Sequence, residues 1–252
     1  QGWSEPGSGS DLASLTSRAY KVDGGWKLNG QKTWTTRGAF CTHLFGLFRT
    51  DPEAQRHKGL TYFLVPLDAP GVTVRGFARL DGDEGFAEVF LDDVFVPDSA
   101  VLGGVGQGWS VAMATTGSER GLTLRSPGRY TATVTRLIEL ARDRGARGEA
   151  VQQRLAQAWM DAEAYRLFTL KQVSDEQQGR SRVGESSLTK LFWSELDIRL
   201  HELADDILGE DAELEGPWSK GFQFSLSGPI YAGTNEVQKN IVAERLLGLP
   251  RA

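Results

Sequence analysis

The spacing of apolar residues changes character once along this chain. Up to about Pro97 the apolar positions fall in short runs, alternating or continuous: Trp26-Lys27-Leu28, His43 to Phe48, Leu60 to Val65, Val72 to Val74 and Glu88 to Leu91. Runs of that length and composition predict strands. Turn sequences at Asp23-Gly24-Gly25, Asn29-Gly30 and Ala69-Pro70-Gly71 separate them, and strands so closely spaced predict a barrel or sandwich. From Gly106 onward the period is helical, which predicts helices over Gly108 to Asp143, Glu149 to Gln178, Ser186 to Leu208, Trp218 to Ser225 and Asn235 to Leu247. Arg144-Gly145, Gly216-Pro217 and Gly228-Pro229 interrupt the pattern. The expectation is an α+β chain, a β-barrel or sandwich domain over residues 1–105 followed by a C-terminal up-down helical bundle over 106–252.

Composition narrows the function without choosing it. With 252 residues, 40% hydrophobic and 24% charged, the chain can bury a real core. Its net charge of -5 and the lack of a basic stripe with interleaved aromatics argue against a nucleic-acid surface. Small-molecule chemistry is the expectation. No apolar run reaches the length of a membrane span, and Gln1-Gly2-Trp3-Ser4-Glu5-Pro6 is no signal peptide. A single cysteine, Cys41, forms no internal disulfide and fits a reducing compartment, so the expected location is cytoplasmic. No metal site is expected.

Four segments carry candidate chemistry. The first, Ser4-Glu5-Pro6-Gly7-Ser8-Gly9-Ser10-Asp11, alternates glycines with serines, so that backbone N–H groups and hydroxyls can converge on phosphate or carbonyl oxygens. In the second, Leu28-Asn29-Gly30-Gln31-Lys32-Thr33-Trp34-Thr35-Thr36, a turn enters a strand that ends on an indole and two hydroxyls, which suits a large flat ring with polar edges. The third runs from Asp92-Asp93-Val94-Phe95-Val96-Pro97 through Gly106-Gln107-Gly108-Trp109 to Ser118-Glu119-Arg120. The fourth is the tail, Ile230-Tyr231-Ala232-Gly233-Thr234-Asn235-Glu236-Val237-Gln238, where Thr234 and Asn235 are good N-caps for a helix whose positive end would face a cofactor. The six tryptophans other than Trp34 are assigned to packing.

These segments together resemble the acyl-CoA dehydrogenase family, and the resemblance runs from Gln1 to Arg251. It implies an FAD-dependent oxidoreductase of lipid metabolism acting on acyl-CoA thioesters in fatty acid or steroid side-chain β-oxidation. It also implies the site residues: Gln1, Ser4, Ser10, Trp34, Thr35, Thr36, Thr234 and Glu236 for the flavin, and Ser10, Arg120, Tyr231, Ala232 and Gly233 for the substrate. In much of the family a tail glutamate is the base that takes the α-proton. Ala232 stands in its place here, and a methyl group cannot accept a proton. Some branches carry the base immediately before the CoA-contacting arginine instead, the position of Glu119, so the resemblance makes Glu119 the base. The Ala232 backbone N–H remains able to polarise the thioester carbonyl.

The resemblance has two gaps. The sequence opens where the family's β-domain opens, without its N-terminal helical domain, so a fragment is one expectation. The amide- and glycine-rich element that meets a neighbour's flavin is replaced by Asp205-Asp206-Ile207-Leu208-Gly209-Glu210-Asp211, and a flavin-contacting arginine is unclear around Arg142-Asp143-Arg144-Gly145. These departures are most similar to the actinobacterial steroid-type branch, with unlike subunits in an α2β2 tetramer. The resulting expectation is a dehydrogenase that forms a trans-2-enoyl-CoA from a bulky or long acyl group and passes electrons to an electron-transferring flavoprotein. The alternative is a non-catalytic partner subunit of a heteromeric dehydrogenase.

Overall fold

The computed structural model describes residues 1–119, 126–180 and 184–250, with the side chains of 117–119 outside that description. Two compact units result, Gln1–Gly117 and Ser118–Ala252. The division lies beyond the expected 105/106 boundary because the first helix, α1 (Gly108–Glu119), begins inside the β-unit, where Ala112 is buried with Leu47, Leu60 and Tyr62.

Seven strands form the β-unit: β1 (Arg18–Val22), β2 (Gly25–Thr36), β3 (His43–Arg49), β4 (Leu60–Pro66), β5 (Val72–Phe77), β6 (Phe86–Pro97) and β7 (Val101–Leu102). They make one mixed sheet in the order β5-β6-β2-β1-β3-β4-β7. Only the parallel pair Arg18 and Arg49 joins β1 to β3, so the sheet has two limbs hinged there. Both limbs contribute to one core: Trp26 of β2 meets Phe63 of β4 edge to face at 5.5 Å, and Leu28, Val89, Val94 and Val96 share that core with Leu44, Phe48 and Val65. Strands β1 and β7 escaped the sequence pattern, the first because Arg18, Tyr20 and Lys21 leave it little apolar content and the second because it is two residues long.

Two bulges interrupt the long β2–β6 ladder. Between the pairs Leu28–Val94 and Gly30–Leu91, Asn29 faces both Asp92 and Asp93; between Lys32–Val89 and Thr35–Ala87, Thr33 and Trp34 together face Glu88. Each bulge holds a non-glycine residue at positive φ, Asp93 at 49° and Trp34 at 57°. The Asp93 bulge is fastened by Asn29 Nδ2 at 2.7 Å, Lys27 Nζ at 3.2 Å and the Tyr20 hydroxyl. The other reverses the pleat. Alternation from Lys32 would carry Trp34 into the core, but the extra residue buries Lys32 and Thr33 in succession and turns Trp34 outward.

The N-terminal segment lies across β3 because both contacting residues are glycines. The Gly2 N–H donates to the Phe45 carbonyl at 2.8 Å, and a Cβ on Gly46 would stand 2.8 Å from the Gly2 carbonyl oxygen. One ion pair then fixes its path. Glu5, 6% exposed, accepts from Lys32 Nζ at 2.7 Å, from the Thr16 N–H at 2.6 Å and hydroxyl at 2.8 Å, and from the Ser17 N–H at 3.0 Å. Lys32 has no exposed surface, and its ammonium lies 5.0 Å from the centre of the Phe48 ring. Burial works to raise the Glu5 carboxyl, but the Lys32 charge and the converging donors outweigh it and hold the group at about 2. Burial pushes the Lys32 ammonium down to about 8 against the attraction of Glu5. Both groups are therefore charged at neutral pH.

The single helix expected from Gly108 to Asp143 is interrupted before Pro127, and the helical unit's first long helix starts there. Ser126 is extended, its hydroxyl caps Gly128 N, and Pro127 opens α2 (Pro127–Asp143) at a position where its missing N–H does no harm. Then follow α3 (Glu149–Gln177), α4 (Glu185–Leu208), α5 (Pro217–Ser225) and α6 (Asn235–Ile241), which runs on into a π turn over Val242–Leu246. Helix α4 is the spine, packing against α2, α3, α5 and α6. Its buried Trp193, Leu196, Leu200, Leu203 and Ile207 meet Tyr130, Val134 and Leu137 of α2, while Ala158 and Ala162 of α3 are small enough for close approach. Among the described residues no helix is long and apolar enough to cross a membrane.

The ion pair generates a stability prediction. Replacing Glu5 by Gln leaves the buried Lys32 without a counter-charge and should destabilise the chain by about 3–5 kcal/mol, whereas Glu5→Gln combined with Lys32→Met should recover most of the loss. The Glu5 contribution is depressed-carboxyl in sign: present in full above about pH 4.5 and lost as pH falls through about 2. Urea unfolding of wild type and variants between pH 7 and pH 3 checks both statements. A single variant as stable as wild type would mean that the pair contributes nothing.

Candidate active site

Each unit carries part of the site read from the sequence. In the β-unit the Ser4 carbonyl accepts the Thr33 N–H at 2.9 Å, which lays the glycine-serine segment beside the Trp34 bulge. Glu5 and Ser8 exchange backbone hydrogen bonds at 2.8 and 3.0 Å around Pro6-Gly7, and the Ser8 hydroxyl donates to the Asp11 carbonyl at 2.8 Å. That arrangement leaves Ser10 exposed and Gln1 and Ser4 half-buried. Trp34 is 60% exposed, and its ring rests edge-on against Phe77 at 5.3 Å and Phe86 at 5.5 Å. An indole so presented, with the exposed Thr36 hydroxyl on the same side of β2, suits the flat face and polar edge of an isoalloxazine ring. Thr35 does not share that side. It is 2% exposed on the opposite face, and its hydroxyl has no hydrogen-bond partner.

In the helical unit, Tyr231, Ala232, Gly233, Thr234 and Glu236 come together in one turn. Ala232 and Gly233 both have positive φ, 55° and 84°, and Asn235 N–H closes the turn on the Pro229 carbonyl at 2.8 Å. The N–H groups of Ala232, Gly233 and Thr234 donate to no acceptor among the described residues. Successive free N–H groups of this kind form a receptor for a carbonyl or anionic oxygen. Thr234 caps α6 by accepting from Val237 N at 3.4 Å. Glu236, exposed in the first turn, has its carboxyl lowered by its own backbone N–H and the Thr234 hydroxyl. Tyr231 lies against Trp193 at 5.8 Å.

The backbone of α1 is described as far as Glu119, and the Glu119 side chain and all of Arg120 lie outside the described residues. The acidic stretch at the end of α4 is not a free block of charge. Asp206 is paired with Arg154 and Asp211 with Arg144, so one of the two arginines of the Arg142–Gly145 stretch has a partner within this unit. Asp205 is raised by burial, with Asp206 and Glu202 adding to it and His201 opposing.

Sequence reasoning passed over several residues that shape the site. Lys32 and Glu5 sit inside quoted motifs, yet nothing local marks them as a pair across 27 positions. Lys190 and Ser194 of α4 reach Asn235 Oδ1 at 2.8 and 3.1 Å, and Gln238 Nε2 reaches the Ala232 and Gly233 carbonyls, both at 3.2 Å. Trp159, assigned to packing, is 57% exposed.

The comparisons with known proteins agree with this picture. The sequence model for the acyl-CoA dehydrogenase middle domain matches residues 1–94, and that for the C-terminal domain matches residues 106–247. Acyl-CoA dehydrogenase IpdE1 of Mycobacterium tuberculosis is 42% identical over 260 residues, an alignment that takes in 100% of this chain and 66% of that protein. Among solved structures, the Tcur3481-Tcur3483 steroid ACAD superposes with a TM-score of 0.92, and the ChsE4-ChsE5 complex from Mycobacterium tuberculosis with 0.89. Each is 28% identical, and each alignment covers 100% of this chain and 68% of the other. The chain thus spans about two thirds of the length of these relatives. Matched by both domain models, it belongs to the acyl-CoA dehydrogenase family, whose cofactor is FAD.

Proposed function

We propose that this chain is the catalytic subunit of an FAD-dependent acyl-CoA dehydrogenase that converts a bulky or long acyl-CoA into the trans-2-enoyl-CoA. The observation that carries the reading is the Tyr231–Thr234 turn, which offers free N–H groups beside a methyl group instead of a carboxylate. Ala232 N–H donates to the thioester carbonyl oxygen, drawing charge off the α-carbon. Glu119 accepts the α-proton, a transfer that an acid as weak as a thioester α-C–H permits only when its carbonyl is polarised and the base partly desolvated. Arg120 holds the CoA moiety. Trp34, Thr36, Ser4 and Gln1 bind and orient the flavin, Ser10 stands between flavin and thioester, and Thr234 and Glu236 are further cofactor contacts. FAD, when bound, supplies the acceptor for the hydride leaving the β-carbon. The relatives named for steroid chemistry support a ring-bearing or branched acyl group, and an electron-transferring flavoprotein suits the reoxidation step.

Assembly with an unlike subunit forms part of the reading. Trp159, Met160, Leu167 and Leu170 are each about half exposed and recur along one face of α3, a stripe of the kind that docks another helix. One relative is itself described as a complex of two differently named chains, and another carries two names joined in the same way. A second reading, a non-catalytic partner subunit, is favoured by one observation. Arg144 and Arg154 are paired with Asp211 and Asp206, which leaves neither of these two charges free for a neighbour's pyrophosphate.

Turnover of a CoA-ester panel by the intact protein, including a steroid side-chain thioester and with a dye acceptor, tests the reading. A colourless, inactive protein, alone and with the product of the adjacent gene, would favour the partner-subunit reading. Glu119→Gln should keep the bound flavin and lose turnover, because the amide preserves shape without a basic site; activity above about a tenth of wild type, a deficit below about 1.4 kcal/mol, would remove Glu119 from the role of base. Trp34→Ala should lower the flavin-to-protein absorbance ratio after desalting, and an unchanged ratio would return Trp34 to a structural role. Leu167→Lys with Leu170→Lys keeps good helix formers on an exposed face, so thermal stability of the isolated chain should hold while light scattering shows a smaller assembly. An unchanged mass would free that stripe of any part in assembly.

A further inference from the structure

We propose that Gln238 is a positioning residue for the dehydrogenation: its side-chain amide grips the backbone of the Ala232–Gly233 turn and thereby aims the Ala232 N–H at the thioester carbonyl. This rests on the reading of that N–H given above. Gln238 is fully buried on α6, and its Nε2 donates to two consecutive carbonyls, Ala232 and Gly233, each at 3.2 Å. Its Oε1 is buried without a partner, so the orientation that serves the two carbonyls is kept although the acceptor is left unsatisfied. The turn needs such a grip. An alanine at φ 55° is in a region that L-residues with a Cβ enter at a penalty, and relaxation to negative φ would swing its peptide planes.

The grip has a rigid base. Asn235, first residue of α6, takes Lys190 Nζ and Ser194 Oγ on the same oxygen, and both donors come from buried positions on the spine helix α4. Gln238 N–H closes on the Thr234 carbonyl at 2.9 Å. The path therefore runs from α4 to the α6 N-terminus, through one side chain to two carbonyls, and leaves three N–H groups of the turn free. Gln238 touches neither substrate nor flavin in this scheme; it acts through Ala232.

The test uses Gln238→Met, which keeps the volume and removes both donors, with the shape-preserving Gln238→Glu in reserve if the first variant does not fold. Alanine-labelled protein reports the conformation at Ala232 through its methyl resonance, without ligand or turnover. That resonance should move in the variant, kcat should fall by about tenfold or more, and KM should change by less than about threefold. Adding Ala232→Gly to Gln238→Met should restore part of kcat, because glycine adopts positive φ without the steric penalty; loss of mere packing would not be rescued this way. An unmoved methyl resonance, an effect confined to KM, or no recovery in the double variant would overturn the proposal. The carbonyl stretch of the product enoyl-CoA, 13C-labelled at the thioester, separates the two levels. No lowering on binding to wild type sinks the role of the Ala232 N–H, whereas a lowered stretch that Gln238→Met leaves in place sinks only the role of Gln238.

Discussion

A lysine with no exposed surface and a glutamate 27 positions earlier hold the β-unit to its shape. The glutamate side chain collects four donors, from Lys32, from the Thr16 N–H and hydroxyl, and from the Ser17 N–H, so it links the N-terminal segment, the lead into β1 and the middle of β2. A buried pair of this kind adds little net stability over an apolar substitute, but removal of either member strands a charge. Its consequence here is positional. With Glu5 anchored, Ser4 is carried beside β2 next to Trp34, and the glycine-serine loop has a fixed root in place of a free end.

The bulges convert that anchoring into a surface. An ideal alternating β2 would put the indole of Trp34 in the core with Trp26 and Leu28. Two residues set against Glu88 shift the pleat by one, and a large aromatic emerges on the outside, backed by Phe77 and Phe86. The strain of positive φ at Trp34 is tolerated because the ladder resumes on both sides, with Lys32 paired to Val89 and Thr35 to Ala87. An exposed indole has low value for folding and high value for binding a flat ring. The same logic operates in the helical unit, where the strained Ala232–Gly233 pair is held by a buried network and its N–H groups stay unused. In each unit one such departure from ideal geometry, at Trp34 and at Ala232, coincides with a residue assigned to chemistry.

The charged stretch at the end of α4 shows how composition can mislead. As a string, Asp205-Asp206 and Glu210-Asp211 read as a repulsive block. In the fold Asp206 and Asp211 each have an arginine, from α3 and from the turn after α2, so part of the negative charge is spent inside the unit. The departure from the family pattern persists, with a different cause: Arg144 and Arg154, two cations that could meet an anionic ligand, are paired at home.

From the sequence alone the change of period near Gly106 separated β from α, and the four motifs identified the family, because strand alternation, helical spacing and short contiguous signatures are local properties of the chain. The capping role of Thr234 was legible for the same reason. Elements whose formation depends on neighbours were not. The strand β1 exists because β2 pairs with it, and the helix drawn through Gly108–Asp143 breaks where Ser126 and Pro127 start a new one. The outward turn of Trp34, the inward turn of Thr35 and the Glu5–Lys32 and Gln238 contacts all required the three-dimensional structure, since a bulge depends on the partner strand and a buried hydrogen bond on which distant groups share one small volume.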